Sequence, residues 1–183
     1  MGILSLEMNV VKETKTSRGF TLIELLMVIA VLGVLAAVVL VAIDPAQQLA
    51  RGRDSGRKTS VGQLGRAMQA YYTSRQDYPD YTQWQTSPNI LVTTGEIKLF
   101  PVNPPYTFGA ACTTIPYNGF CYHKAVLLGI YEVAIYARME SKSENSKCAS
   151  GTTAWFTWAS ANGGAGIVCS VAEPNPGAPI IFL

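Results

Sequence analysis

The strongest constraint on this chain is one apolar run, Phe20 to Ile43, which reads FTLIELLMVIAVLGVLAAVVLVAI. Its 24 residues carry a single charge, Glu24. A helix rising about 1.5 Å per residue would make it roughly 36 Å long, enough to cross a hydrocarbon core of about 30 Å. The side chains are apolar all round, which suits lipid better than the one-sided stripe of a core helix. Lys12, Lys15 and Arg18 precede the run, against Glu13. The positive-inside rule then predicts a cytoplasmic N-terminus and export of everything past Ile43. A secretory signal peptide is the rival, but its apolar region is usually about 7–15 residues. Cutting at Leu35-Ala36-Ala37, inside the run, would leave an apolar stump.

The remaining composition agrees with a membrane segment joined to a small exported domain. Charged residues are 14% of the 183, against the roughly 25% of soluble domains. With 49% hydrophobic residues the chain is not a disordered tail. A net charge of +2 gives no reason to expect nucleic-acid binding by bulk charge. All four cysteines, Cys112, Cys121, Cys148 and Cys169, lie beyond the run. An even count confined to the exported part predicts disulfides. Of the three possible pairings, sequence proximity favours Cys112–Cys121 and Cys148–Cys169. No C-x-x-C occurs and His123 is the only histidine, so neither a metal nor a cofactor is expected.

Arg18-Gly19-Phe20-Thr21-Leu22-Ile23-Glu24, at the edge of the apolar run, resembles the signature of type IV pilins and pseudopilins. The resemblance implies a leader, residues 1–19, removed by a prepilin peptidase between Gly19 and Phe20, and N-methylation of Phe20. Met8 is an alternative start that leaves the leader MNVVKETKTSRG. The implied fold is α+β, a pilin fold. Its long N-terminal helix (20–75) spans the membrane over 20–43, kinks near Pro45 and packs on a small antiparallel sheet of about four strands. The implied function is that of a major pilin, the structural subunit of a type IV pilus, supporting adhesion, motility or DNA uptake. A pseudopilin of a type II secretion or competence system is the alternative, and a monomeric membrane-anchored binding protein a further one. Implied partners are other copies of the chain in a helical homopolymer, the prepilin peptidase, an assembly ATPase with its platform protein, and membrane lipid before assembly. The implied location is the bacterial inner membrane, single-pass, then an extracellular filament.

The motif also has a physical logic of its own. A carboxylate in a membrane helix costs about 2.5–3.5 kcal/mol at mid-bilayer and less near an interface, so Glu24 is a functional candidate. Cleavage after Gly19 would create an amine at Phe20, one helical turn away. In a filament, Glu24 of one chain would meet the Phe20 amine of a neighbour. At about 4 Å and an effective dielectric near 20, the attraction is on the order of 4 kcal/mol. Desolvation offsets part of it, so the pair would set axial register more than add stability. Gly19, lacking a side chain, would let a protease approach the backbone closely.

Asp44-Pro45 ends the apolar run, and helical character resumes from Ala46 to Arg75. Val61, Leu64, Met68 and Tyr71/Tyr72 form one apolar face. Gly52, Gly56, Gly62 and Gly65 interrupt it, each costing about 1 kcal/mol against Ala. Pro45, Gly52 and Gly56 are therefore expected to mark a stretch that bends or partly melts on assembly. A continuous helix with glycines at close crossings is the competing expectation. Arg51, Arg53, Arg57 and Lys58 form a basic run around Asp54. It is expected to pair with Asp44 and Asp54 of neighbouring subunits; anionic headgroups are a second candidate and DNA phosphates the least favoured.

The exported head is residues 76–183. Asp77-Tyr78-Pro79-Asp80 is a turn cluster, and 76–119 is a Pro-rich loop with a short helix near Ile90. The sheet spans 120–171. Its expected strands are Phe120–Val126, Ile130–Glu140, Thr152–Ala159 and Ile167–Val171, with Leu128-Gly129 turning the chain. Alternation over Ile130–Glu140 predicts a half-buried strand facing the Leu64–Tyr72 side of the helix. Trp155, Phe156 and Trp158 are expected in the core, and the tail 172–183 is expected to dock on the head. No nucleophile motif accompanies His123, so no enzyme is predicted. Gly163–Gly166 lacks the Gly-Lys-Ser/Thr of a phosphate loop. Glu140, Glu144, Asn145 and Glu173 fit no EF-hand spacing and are expected in solvated loops.

Overall fold

A computed structural model describes residues 19–107 and 112–183. The expected leader, apart from Gly19, lies outside the described residues. The chain divides into two compact units, one ending at Ile43 and the other spanning Asp44–Leu183.

In the first unit, helix α1 covers Leu22–Ile43. None of its residues is buried, so its apolar surface has no partner within the described residues. It is long and apolar enough to cross a membrane. The helix stops at Asp44, whose φ of 45° is left-handed, a conformation that Asp tolerates better than bulky residues. Asp44 then caps the next helix: its carboxylate accepts from the Gln47 N–H at 3.3 Å, and Pro45 takes the first helical position. The expected break near Pro45 is thus a change from one helix to another.

In the second unit, helix α2 runs from Pro45 to Arg75 without interruption through all four glycines. Its C-terminus closes at Gln76, with φ 57°, whose N–H donates to the Tyr72 carbonyl at 2.7 Å. Short helices α3 (Tyr81–Gln85) and α4 (Ile90–Thr93) follow in the loop. Five strands make an antiparallel meander in chain order: β1 (Pro116–Tyr117), β2 (Phe120–Leu127), β3 (Ile130–Arg138), β4 (Thr153–Ala159) and β5 (Gly164–Ser170). A one-turn helix, α5 (Lys142–Asn145), sits between β3 and β4. The fold is α+β as expected, with one strand more than the four read from the sequence. Strand β1 is only two residues long and begins with Pro, which gives no periodic signal.

The core lies between α2 and the inner face of the sheet. Val61, Leu64, Met68 and Tyr71 meet Tyr122, Val133, Ile135 and Trp158 there, with Trp84, Leu91 and Phe100 closing one end from the loop. A Cβ on Gly65 would lie 2.4 Å from the Trp158 ring, so this glycine is where helix and sheet approach most closely.

The half-buried reading of β3 is corrected. Residues Val133–Ala137 are buried on both faces. The outward Ala134 and Tyr136 pack with Trp155, Cys112 and Cys121, and Ile180 of the tail lies against them. Alternation of side-chain polarity does not reveal this second layer, because it comes from loop and tail segments distant in sequence. The tail docks on the sheet edge: the Leu183 N–H donates to Ile167, Asn162 Nδ2 donates to Ile180, and Phe182 covers Gly166.

Candidate assembly site

Thr21 and Glu24 form a reciprocal cap at the start of α1. The Thr21 N–H and Oγ1–H both donate to Glu24 Oε2 at 2.8 Å, and the Glu24 N–H donates to Thr21 Oγ1 at 3.3 Å. This is the capping-box pattern. It holds the carboxylate at the helix N-terminus, where the helix dipole favours negative charge. Gly19 and Phe20 precede the cap and are exposed; Phe20 is 86% accessible. A Cβ on Gly19 would meet nothing within 4 Å. Glu24, Phe20 and Gly19 therefore sit together at one accessible helix end, with the Glu24 carboxylate engaged only locally.

Helix α2 carries a second polar cluster, which positions the head. Its buried residues Ala50, Asp54, Arg57, Val61, Leu64, Met68 and Tyr71 recur at steps of three and four, one stripe facing the sheet. Two charges therefore lie in the core stripe. Arg57 is fully buried. Its Nη1 contacts Asp54 Oδ1 at 3.0 Å and Glu140 Oε2 at 3.2 Å, and its Nε donates to Asn103 Oδ1 at 2.8 Å. Its Nη2 donates to the Pro104 carbonyl at 3.1 Å, and the guanidinium lies 4.0 Å from the Tyr106 ring centroid. Asp54 accepts the backbone N–H groups of Glu140 and Ser141 at 2.8–3.1 Å. Arg53 Nε reaches Glu140 at 2.6 Å. Burial tends to raise the Glu140 pKa, but the Thr107 N–H and both guanidiniums outweigh it and hold the carboxyl below its usual range.

These contacts correct the reading of the basic run. Arg53, Arg57 and Lys58 turn inward to Glu140 and Glu144 of the same chain, leaving Arg51 as the exposed member. Neither a neighbour's Asp54, nor headgroups, nor DNA has access to Arg57. Asp54 is likewise spent on Arg57 and on the turn after β3. Sequence reading missed this latch, though a signal existed: the three-and-four stripe from Val61 continues backward through Arg57, Asp54 and Ala50.

Glu140, Glu144, Asn145 and Glu173, tested above against EF-hand spacing, do not converge. Glu140 and Glu144 face α2, with Lys58 Nζ 2.6 Å from Glu144. Asn145 bonds the backbone of Met139, Ser141 and Ala154. Glu173 accepts from the Thr113 and Thr114 N–H groups and from Tyr136 Oη. His123 is half-buried in β2. Disulfides join Cys112 to Cys121 and Cys148 to Cys169. The first anchors the outer layer over Tyr136; the second ties the turn after α5 to β5. Pro45, Gly52 and Gly56 lie in the first turns of α2, and a Cβ on Gly52 would meet nothing within 4 Å.

A family model described as the prokaryotic N-terminal methylation motif matches residues 14–40, the segment that contains Gly19, Phe20 and Glu24. The chain is also 35% identical over 74 residues to the type IV major pilin protein PilA of Myxococcus xanthus (strain DK1622). The motif and this relative support a place in the type IV pilin family. That match covers 40% of this chain and 33% of the relative, so the chain spans about a third of the length of the curated protein it matches. No solved structure matches.

Proposed function

We propose that this prepilin is the major subunit of a type IV pilus. It is inserted in the inner membrane with its N-terminus in the cytoplasm, cut between Gly19 and Phe20 by a prepilin peptidase and methylated at Phe20. An assembly ATPase and platform protein then polymerise it into an extracellular helical homopolymer. The observation that carries the reading is α1: an apolar helix with no buried residue, whose single charge is a capped carboxylate one turn from the predicted new N-terminus. Such a surface is stable in lipid or in a bundle of like helices, and moving between them is favoured by close packing. Cleavage removes the residues before Phe20 and leaves an amine to which Glu24 of a neighbour is complementary.

Mass spectrometry of filaments sheared from source cells tests this. The expected result is an abundant chain beginning at methylated Phe20. A processed chain confined to the membrane fraction would make it a pseudopilin or minor subunit. An uncut chain there would sink the filament reading. Glu24→Leu is expected to abolish assembly or its register while leaving membrane insertion intact.

A further inference from the structure

The β2–β3 hairpin ends in an apolar knob. Val126, Leu128, Ile130 and Tyr131 are 52%, 95%, 61% and 58% exposed, whereas Val133–Ala137 further along β3 is buried on both faces. The connecting loop is Leu128-Gly129, with φ of 52° and 85°. Two positive φ values between paired Leu127 and Ile130 describe a type I′ turn, where Asn-Gly is the favoured pair and leucine is disfavoured. Leu128 thus satisfies neither its backbone nor its own chain's core. An exposed apolar cluster of this kind marks an interaction surface.

The same unit carries a recess that is part apolar and part charged. A groove of about 600 Å³ lies between α2 and the turn after α4, with Ala67, Ala70, Ile97 and Leu99 among its lining. Leu99 is 82% exposed beside it. The charges around the two features are complementary. Beside the knob, Tyr131 shares a recess with exposed Asp77 and Asp80, whose common partner is the single Lys124. The groove carries Arg66 and Lys98 against one acid, Glu96. Each rim therefore keeps one net charge, negative at the knob and positive at the groove.

We propose that the Val126–Tyr131 hairpin of one copy seats in the α2–α4 groove of the next. Knob and groove are different patches, so the contact is heterologous. Repeated without closure, it generates a helix of subunits rather than a dimer. The inference rests on the filament reading and adds the head-to-head contact that would set neighbour spacing outside the apolar stem bundle.

Cysteine cross-linking in the full chain, expressed in filament-forming cells, tests it. A Leu128→Cys/Leu99→Cys double variant, oxidised in sheared filaments, is expected to give a denaturant-stable ladder beyond dimers, and neither single variant does. Leu128→Asn installs the residue the turn prefers, so the head stays folded. It is expected to lower filament yield by about tenfold, the order of one lost leucine burial. Filaments without a ladder, together with wild-type yield from Leu128→Asn, would overturn this contact and leave the filament reading standing. Dimers from Leu128→Cys alone would replace it by a symmetric contact, and cross-links to a different protein would replace the occupant. Absence of filaments from the unsubstituted chain would fail the filament reading itself, and this inference with it.

Discussion

Replacing Arg57 by Ala is expected to be among the most damaging changes in the Asp44–Leu183 unit. The guanidinium is wholly buried and serves Asp54, Glu140, Asn103 and Pro104. Its removal leaves two carboxylates whose side chains are 2% and 1% accessible, with Arg53 as the neighbouring cation. Breaking a buried pair by deleting one partner typically costs about 3–5 kcal/mol. Asp54 keeps its backbone N–H donors and Glu140 keeps Arg53, which places the expected loss near the lower end, about 3–4 kcal/mol. Against a typical total of about 5–15 kcal/mol, that is a large fraction. It corresponds to a fall in Tm of roughly 10 °C for a domain of this size. Urea and thermal unfolding of an oxidised chain starting at Asp44, followed by circular dichroism, measure it. Arg57→Met combined with Glu140→Gln removes one charge of each sign. The double variant should be more stable than the sum of the single losses by about 0.5–3 kcal/mol. An Arg57→Ala loss below about 1 kcal/mol, the level of a surface ion pair, would refute the latch as a buried charge pair.

Three further outcomes follow from the same geometry. Gly65→Ala, favoured by helix propensity alone, should instead destabilise by about 1–3 kcal/mol, because the new methyl meets the Trp158 ring; equal or higher Tm would show that the ring yields freely. Gly52→Ala meets open space and should stabilise α2 by about 0.5–1 kcal/mol. If the first turns of α2 melt on assembly, that variant will also assemble more slowly, and unchanged kinetics would count against melting there. On acidification, Glu140 and Glu173 should both lose stabilising interactions. Burial opposes the shift in each, but hydrogen bonds to Thr107 or to Thr113 and Thr114, with the Arg53 and Arg57 or Tyr136 partners, hold the folded pKa below the ordinary value of 4.5. Their contribution is present in full above about pH 4.5 and disappears as pH falls through the lowered folded value. Glu173→Gln should flatten that acid limb in a pH series of unfolding curves, and an unchanged slope would remove Glu173 from the account.

The apolar length of Phe20–Ile43, the Gly19-Phe20-x-x-x-Glu24 spacing and the Asp44-Pro45 stop are local properties. Each was legible because it depends on neighbours in the chain: composition sets lipid compatibility, spacing sets the cap, and Pro sets the helix boundary. Leu128-Gly129 was legible as a turn for the same reason. The latch was not. Arg51, Arg53, Arg57 and Lys58 look alike as a basic run, and their neighbours do not say which will be buried. Arg57 becomes a core residue because Glu140, Asn103 and Pro104 are brought to it from more than forty positions away. The second face of β3 was hidden for the same reason, since its cover comes from Cys112 and Ile180.

By itself, then, the sequence determined the membrane-compatible helix, the N-terminal methylation motif at its end and the α+β class, because those follow from short-range spacing and hydropathy. Tertiary structure alone decided which charges lie inside, which glycine touches the sheet and which apolar side chains remain uncovered. Burial is a property of what packs against a residue, and those partners are assembled by long-range topology that no local pattern encodes.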